Sequence, residues 1–443
     1  MTANVSHEPT RHAADRARAA LADPQLGPLA TFTGQCFTVG ALVQGFGVLY
    51  ERLPAAFSLV LLAPVLACLA MAPRRSLRRL RLSVPLGLLV AWLTASWTWS
   101  VGPDQTWFAL WTSVLLVVGM AVVAELLSSD ALARAVGWSV RLTLLLVVGA
   151  VLTSSSARIS GSSDFVVVGW RGTFVDKNSM ALYLVFALAA TLTLDRGRSR
   201  LATSVVIGGL LVGSQSATGL SAALLVVVSW IWLSVLRRRS GRRSAVFVLS
   251  TLGAALTAFA AVLFNYTAIL EVYGKDASLT GRTDIWAAVV GAIAREPLTG
   301  YGAGALLNSA APSSSTLKLW QEIGFDAAHA HNGVLDLLGQ LGGIGLLLYV
   351  AAIWTTARAA TARLRQAPGA AMFALVTLSA QLLMSVAENV FLGVWVVVLV
   401  ILHSLVQREA ADELAPLTIG RPDRRRARQR QPATAPSRRL QPL

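Results

Sequence analysis

Asn265 to Asn332 reads NYTAILEVYGKDASLTGRTDIWAAVVGAIAREPLTGYGAGALLNSAAPSSSTLKLWQEIGFDAAHAHN. Apolar segments flank it on both sides. Within it stand Glu271, Asp276, Asp284, Glu296, Glu322 and Asp326 against Lys275, Arg282, Arg295 and Lys318, with His329 and His331 at its end. Nowhere else in the middle of the chain do charged residues gather over such a length. A polar insert this long between apolar segments predicts a helical membrane protein with one large loop on one face.

The rest of the composition agrees. The chain is 55% hydrophobic and only 14% charged, with a mean hydropathy of +0.62, as in integral membrane proteins. A net charge of +16 would suggest a nucleic-acid partner in a soluble protein. Here the basic residues sit in short runs between apolar segments, which is the positive-inside pattern, so no nucleic acid is expected. Cys36 and Cys68 lie inside apolar segments, where packing accounts for them and neither a disulfide nor a metal site is indicated. Residues 1–28 lack the n-region and h-region of a cleaved signal, so the first apolar segment is expected to remain as a helix.

A spanning helix needs about 20 apolar residues. Segments near 29–50, 54–72, 84–100, 107–127, 133–153, 177–194, 201–214, 217–236, 244–264, 333–357, 368–386 and 389–405 qualify, about twelve in all. The Arg clusters test the count. Arg74, Arg75, Arg78, Arg79 and Arg81 follow the second segment, and Arg196, Arg198 and Arg200 the sixth. Arg237, Arg238, Arg239, Arg242 and Arg243 follow the eighth; Arg358, Arg363 and Arg365 follow the tenth. Every cluster follows an even-numbered segment, so all are cytoplasmic if both termini are. Residues 154–176 and 265–332 then lie outside, the latter between helices nine and ten. Three parts result: a cytoplasmic arm over 1–28, a membrane domain over 29–405, and a tail over 406–443. The tail is basic and Pro-rich, which predicts disorder and either a topology anchor or attraction to lipid head groups.

Inside the long loop, Ile285, Val289 and Ile293 recur with helical spacing, and Trp286 and Val290 widen the stripe. This predicts a helix over Thr283–Arg295, capped by Thr283 or Thr280 and ended by Pro297 and Gly300-Tyr301-Gly302. Arg282 just before its first turn makes an anion site, unless it is solvated or pairs with Asp284. The APSSSTLKLWQEIGF linker shows only a turn at Pro312. His329 and His331 stand where the aqueous face meets the next helix, suited to a general base or to a helix cap. Two histidines two apart also suit a metal, but no third ligand at a convincing spacing accompanies them. On a helix, Asp336 would share a face with His329 and Asn332 and not with His331.

The other outer stretch, 154–176, is rich in Ser and Gly and reads as a loop. It ends in Trp170-Arg171-Gly172-Thr173-Phe174, with Lys177 and Asn178 following at a helix start. Arg171 and Lys177 put two cations there, though Trp and Arg are also ordinary interface anchors. Gly213 to Gly219, GSQSATG, is a tight turn in which small residues allow close helix approach. Glu388 and Asn389, at an outer turn, are placed to face the same cavity as the loop. Arg141 lies within a segment and suits snorkelling to the inner surface.

Taken together, WRGTFVDKNSMALY, SQSATG, LTGRTDIWAAVVGAIAREPLTGYGAGA and HAHNGVLDLLGQLGGIG resemble the O-antigen ligase and polysaccharide polymerase family of bacterial membrane glycosyltransferases. The resemblance covers Trp170 to Leu348. It implies an all-α fold similar to the C-type glycosyltransferases. It implies a polyprenyl-diphosphate-linked glycan donor, a glycan or glycolipid acceptor, membrane lipid around the protein, and a reaction without metal or cofactor. By motif, Arg282 and Arg171 match arginines thought to hold the donor diphosphate, and His331 matches the histidine proposed to activate the acceptor. Lys177, Asn178 and Asn332 join them as expected binding residues, although helix capping explains the asparagines equally well. His329 duplicates the histidine. The expectation is glycan transfer outside the cytoplasm, by a ligase or a polymerase of capsule, exopolysaccharide or wall glycan. A lipid-glycan flippase or other transporter is the rival. It predicts polar residues near the midplane, where the chain places few.

Overall fold

A computed structural model describes residues 27–48, 60–71, 83–162, 165–239, 248, 281–307 and 312–419. The expected ninth segment (244–264) lies outside these apart from Val248, as do the Arg74–Arg81 cluster, Lys275, most of the arm and most of the tail.

The described chain is helical apart from one small hairpin. In order come α1 (Pro28–Gly45), α2 (Leu62–Met71), α3 (Val84–Ala95), a 3-10 turn (Ser96–Trp99), α4 (Pro103–Leu126) and α5 (Ser129–Thr153). β1 (Ile159–Ser162) and β2 (Phe165–Val168) follow as an antiparallel pair, where the Ser- and Gly-rich composition had indicated only a loop. Then come α6 (Lys177–Leu194), α7 (Gly197–Ser214), α8 (Ala217–Leu236), α9 (Arg282–Arg295), α10 (Ser314–Ile323), α11 (Gly333–Arg363), α12 (Pro368–Met384) and α13 (Val394–Ile419). Four of these, α5, α6, α8 and α11, are long and apolar enough to cross a membrane, and several shorter apolar helices accompany them.

Burial follows from lipid-like amphipathicity. α6 packs among α5, α7, α8 and α12, and Tyr183, Leu184, Val185 and Phe186 are all buried. Outward-facing side chains are just as apolar: Leu145 is 71% exposed and Leu347 69%. An exposed apolar rim around an apolar core is stable where the surrounding solvent is hydrocarbon.

The two ends of the bundle differ. At one end Arg141 bonds Asp195 at 2.7 Å, so it is paired where snorkelling had been expected. At the same end, Arg363 in the last turn of α11 donates to Gln407, midway along α13, at 2.9 Å, and Arg408 approaches Glu125 at 3.5 Å. The other end holds the starts of α6, α8, α9 and α11 and the finish of α7 and α12.

α11 is not continuous. Gly342 has φ +67° and ψ −171°, which breaks the helix, and the Pro297–Gly302 segment fills the break. Gly343 and Ile344 donate their orphaned N–H groups to Pro297 O and Leu298 O at 2.8 and 3.3 Å. Tyr301 and Gly302 donate to Gly339 O and Gln340 O, both at 2.9 Å. Trp92 Nε1 donates to Leu341 O at 3.0 Å. A broken helix is tolerable away from water only when its freed groups are satisfied in this way. A Cβ on Gly342 would overlap the Leu298 carbonyl, and one on Gly300 would meet Gln340 backbone at 2.6 Å. The PLTGYG motif is thus more than a helix stop: it is the plug of a broken helix.

Candidate active site

Two polar helix starts and one helix end meet around a cavity of about 420 Å³. Asp176, Lys177, Asn178, Ser179 and Leu182 line it from α6, His329 and His331 from the turn before α11, and Glu388 and Asn389 from the turn after α12.

Each element places its residues for a local reason. Asp176 is the N-cap of α6, accepting from Asn178 N and Ser179 N at 2.7 and 2.9 Å. This orients Lys177 and Asn178 in the first turn. Asn178 Oδ1 accepts from Ser216 Oγ at 2.9 Å, and Trp170 N donates to Gly213 O at 2.8 Å. The GSQSATG turn therefore holds the Trp170–Asn178 segment, a role beyond close helix approach.

α9 starts at Arg282 itself, and its N-cap is Gly281, at φ +79°, not a threonine. No side chain caps this helix. Arg282 does not turn to Asp284. Its NH1 donates to Ala387 O at 3.1 Å and its NH2 lies 3.8 Å from Glu388 Oε1. The APSSSTLKLWQEIGF linker, from which only a turn at Pro312 was expected, forms α10, capped by Ser313 and ended by Gly324 at φ +90°.

α11 starts at Gly333, so both histidines precede it. Asn332 is its N-cap, accepting from Val334 N and Leu335 N, both at 3.0 Å, while its Nδ2 donates to Val386 O at 3.3 Å. His331 adopts φ +46°, a left-handed conformation shared among the described non-glycine residues only with Gln215. That turn brings His331 Nδ1 to 3.6 Å from Glu388 Oε2, an ion-pair distance and not a hydrogen bond. Glu388 is only 3% exposed, and both its Oε1 and His331 Nδ1 are buried without a hydrogen-bond partner.

His329 differs from its neighbour. Its Nδ1 accepts the backbone N–H of His331 at 3.2 Å. Burial, and after it the His331 charge, push its imidazole down to about 4.

The expected residues therefore do not all converge. Lys177, Asn178 and His331 face the cavity, Arg282 adjoins it through Glu388, and Asn332 caps the helix beside it. Arg171 is not among the lining residues: its Nε and NH1 donate to Ser156 O and Phe174 O at 3.1 and 3.2 Å. Asp176 and Ser179 also line the cavity, and sequence reasoning missed both; the Asp–x–x–Ser capping pattern at the start of α6 is the signal that could have found them. The structure also supplies the third ligand that the histidine spacing lacked. Donor atoms of His329, His331 and Glu388 lie within 4.8 Å of one another and could hold a metal ion, with Arg282 as a competing positive charge.

Comparison with known proteins bears on this region. Residues 202–350 match the family model described as O-antigen ligase. The exopolysaccharide production protein ExoQ of Rhizobium meliloti (strain 1021) is 30% identical over 203 residues, 43% of this chain and 45% of that protein. The chain thus spans less than half the length of that relative. The matched region carries α7 to the first half of α11 and beyond, including Arg282, His331 and the plugged break. Over this region the chain is similar to the O-antigen ligase family and to an exopolysaccharide production protein, and its apolar helices fit a multi-pass membrane protein.

Proposed function

We propose that the protein transfers a glycan from a polyprenyl-diphosphate carrier to an acceptor hydroxyl on the extracytoplasmic face of the plasma membrane. The observation that carries this reading is the trio of His331, Glu388 and Arg282 beside the cavity, with Glu388 within 4 Å of both partners.

The chemistry needs three things. The acceptor hydroxyl must lose its proton, the anomeric carbon must be exposed to it, and the diphosphate must leave as an anion. Glu388 holds the Nδ1 side of His331, so Nε2 is the atom that takes the proton. The acceptor oxygen bonds to the anomeric carbon as its bond to the diphosphate oxygen breaks, and the electron pair leaves with the diphosphate. Arg282, the uncapped N-terminus of α9 and Lys177 favour that growing negative charge. Arg171 completes the set if it releases its two carbonyls when the donor binds. Positive charge and helix N-termini supply what a metal would, so the proposed reaction uses neither metal nor cofactor. His329 is a poor base, since a group pushed down to about 4 has little proton affinity near neutral pH. That lowered proton affinity, and the place of His331 beside Glu388, support His331 over His329.

Around this site we propose about twelve spans in a C-type glycosyltransferase-like arrangement. The arm (1–28) and tail (406–443) are cytoplasmic, and the loop 265–332, which carries α9 and α10, is outside between the ninth and tenth spans. Capsule, exopolysaccharide or wall-glycan assembly is the setting, through ligation or polymerisation. The test is the state of lipid-linked glycans in cells lacking the protein. Single repeat units on the outer face mean a polymerase, and full-length chains there mean a ligase. Units trapped on the inner face mean a flippase and overturn the reading.

A further inference from the structure

Ala330, between the two histidines, is fully buried and held by both of its backbone groups. Its carbonyl accepts from Trp286 Nε1 at 2.9 Å, and Trp286 stands one turn after Arg282 on α9. Its N–H donates to Asp336 Oδ1 at 3.3 Å. Asp336, 4% exposed, accepts on Oδ2 from Gln340 Nε2 at 2.6 Å. Gln340 Oε1 accepts in turn from Gly304 N at 2.7 Å, in the loop that plugs the helix break. An unbroken chain of donors and acceptors thus runs from the plug, through α11, to the residue before His331, and a second bond ties that residue to α9.

We propose that Trp286, Asp336 and Gln340 are positioning residues that hold His331 in its left-handed turn and in register with Arg282. This rests on the reading of His331 as the base. An imidazole at φ +46° relaxes to ordinary backbone unless its neighbours fix it. Here the fixing atoms come from both elements the reaction must align: α9, which carries Arg282, and α11, which follows His331. Asp336 acts on the backbone of the turn and touches neither histidine ring with a hydrogen bond.

The polarity of the chain gives a sharp test. In Asp336→Asn, one donor must face another: at Gln340 Nε2, at Gly304 N if Gln340 flips, or at Ala330 N if the asparagine flips. Adding Gln340→Glu restores every donor–acceptor pair: Gly304 N–H to Glu, Asn Nδ2–H to Glu, and Ala330 N–H to Asn Oδ1. Full-length protein in lipid nanodiscs is assayed with polyprenyl-diphosphate-linked glycan extracted from the producing cells. His331→Ala is run in parallel, and thermal midpoints are measured on every variant. Asp336→Asn and Trp286→Phe are expected to lower kcat about 10- to 100-fold with KM for the donor unchanged. The double variant Asp336→Asn with Gln340→Glu recovers most of that loss. Carbethoxylation of His331 by diethyl pyrocarbonate, read by peptide mass, rises in the two single variants and returns in the double one. Wild-type kcat in both single variants, beside an inactive His331→Ala, overturns the brace and leaves the base assignment standing. A loss that the double variant fails to recover, with a lowered thermal midpoint, also overturns it, as plain structural damage. Full activity in His331→Ala overturns instead the functional reading on which the brace rests.

Discussion

Replacing Glu388 by Gln keeps the shape of the side chain and removes one charge. That charge lies 3.6 Å from His331 Nδ1 and 3.8 Å from Arg282 NH2. At an effective dielectric of about 20, a unit pair at such a distance attracts by about 4–5 kcal/mol. The His331 side chain is 32% exposed, so solvent screens part of this. Halving it leaves about 2 kcal/mol favouring the imidazolium that forms as the acceptor proton is taken, or about 30-fold in kcat. Arg282 behaves in the opposite way. Without Glu388 it is freer to meet the donor diphosphate, so KM for the donor stays the same or falls. Steady-state transfer in nanodiscs, with donor and acceptor varied separately, reads the two effects apart. A Glu388→Gln protein with wild-type kcat refutes the reasoning. So does a defect confined to KM, because it would make Glu388 a binding group and leave His331 without an orienting partner.

Three further outcomes follow from particular atoms. Gly342→Ala forces a side chain into a left-handed position against the Leu298 carbonyl, which costs about 1–3 kcal/mol in backbone strain. It also endangers two plug hydrogen bonds at about 1 kcal/mol each, so denaturant unfolding should show a loss of about 3–5 kcal/mol; an unchanged midpoint contradicts the plug. Folding pushes His329 from an ordinary 6.5 to about 4, so the unfolded chain binds the extra proton between those values. Stability therefore falls as pH drops from about 6.5 to about 4, by at most about 3 kcal/mol, and His329→Gln flattens that slope in a pH series of melting curves. Asn332→Ala removes the α11 cap and costs about 1 kcal/mol, whereas Asn332→Asp retains it; equal stability of the two variants would show that the cap is idle.

Much of the helical framework was legible because it depends on apolar length. α6 and α8 begin and end where the hydropathy of 177–194 and 217–236 predicts. The α9 stripe was legible in part: Ile285 and Val289 are buried and Trp286 and Ile293 pack against them, whereas Val290, expected to widen the stripe, is 52% exposed and Ala292 is buried in its place. What the sequence hid depends on contacts distant along the chain. Glu388 was expected at the cavity, yet nothing local joined it to His331 and Arg282, which lie 57 and 106 residues away. Asp336 looked irrelevant to His331 because a helical wheel was applied to residues that precede the helix. It acts through Ala330 N, which the wheel does not represent. The break at Gly342 was invisible for a similar reason. Its Gly-rich surroundings suit a continuous membrane helix, and only the 297–302 plug explains them. The fate of Arg171 shows the reverse. Its motif pointed to the donor, but its guanidinium here serves two nearby carbonyls.

The most direct test of the central claim is release of polyprenyl diphosphate from lipid-linked glycan by purified protein in liposomes. Wild type is compared with His331→Ala and Arg282→Ala, each first shown to be folded. The account predicts acceptor-dependent release by wild type and a loss of about 10²-fold or more in both variants. Release at the wild-type rate by either folded variant would contradict it.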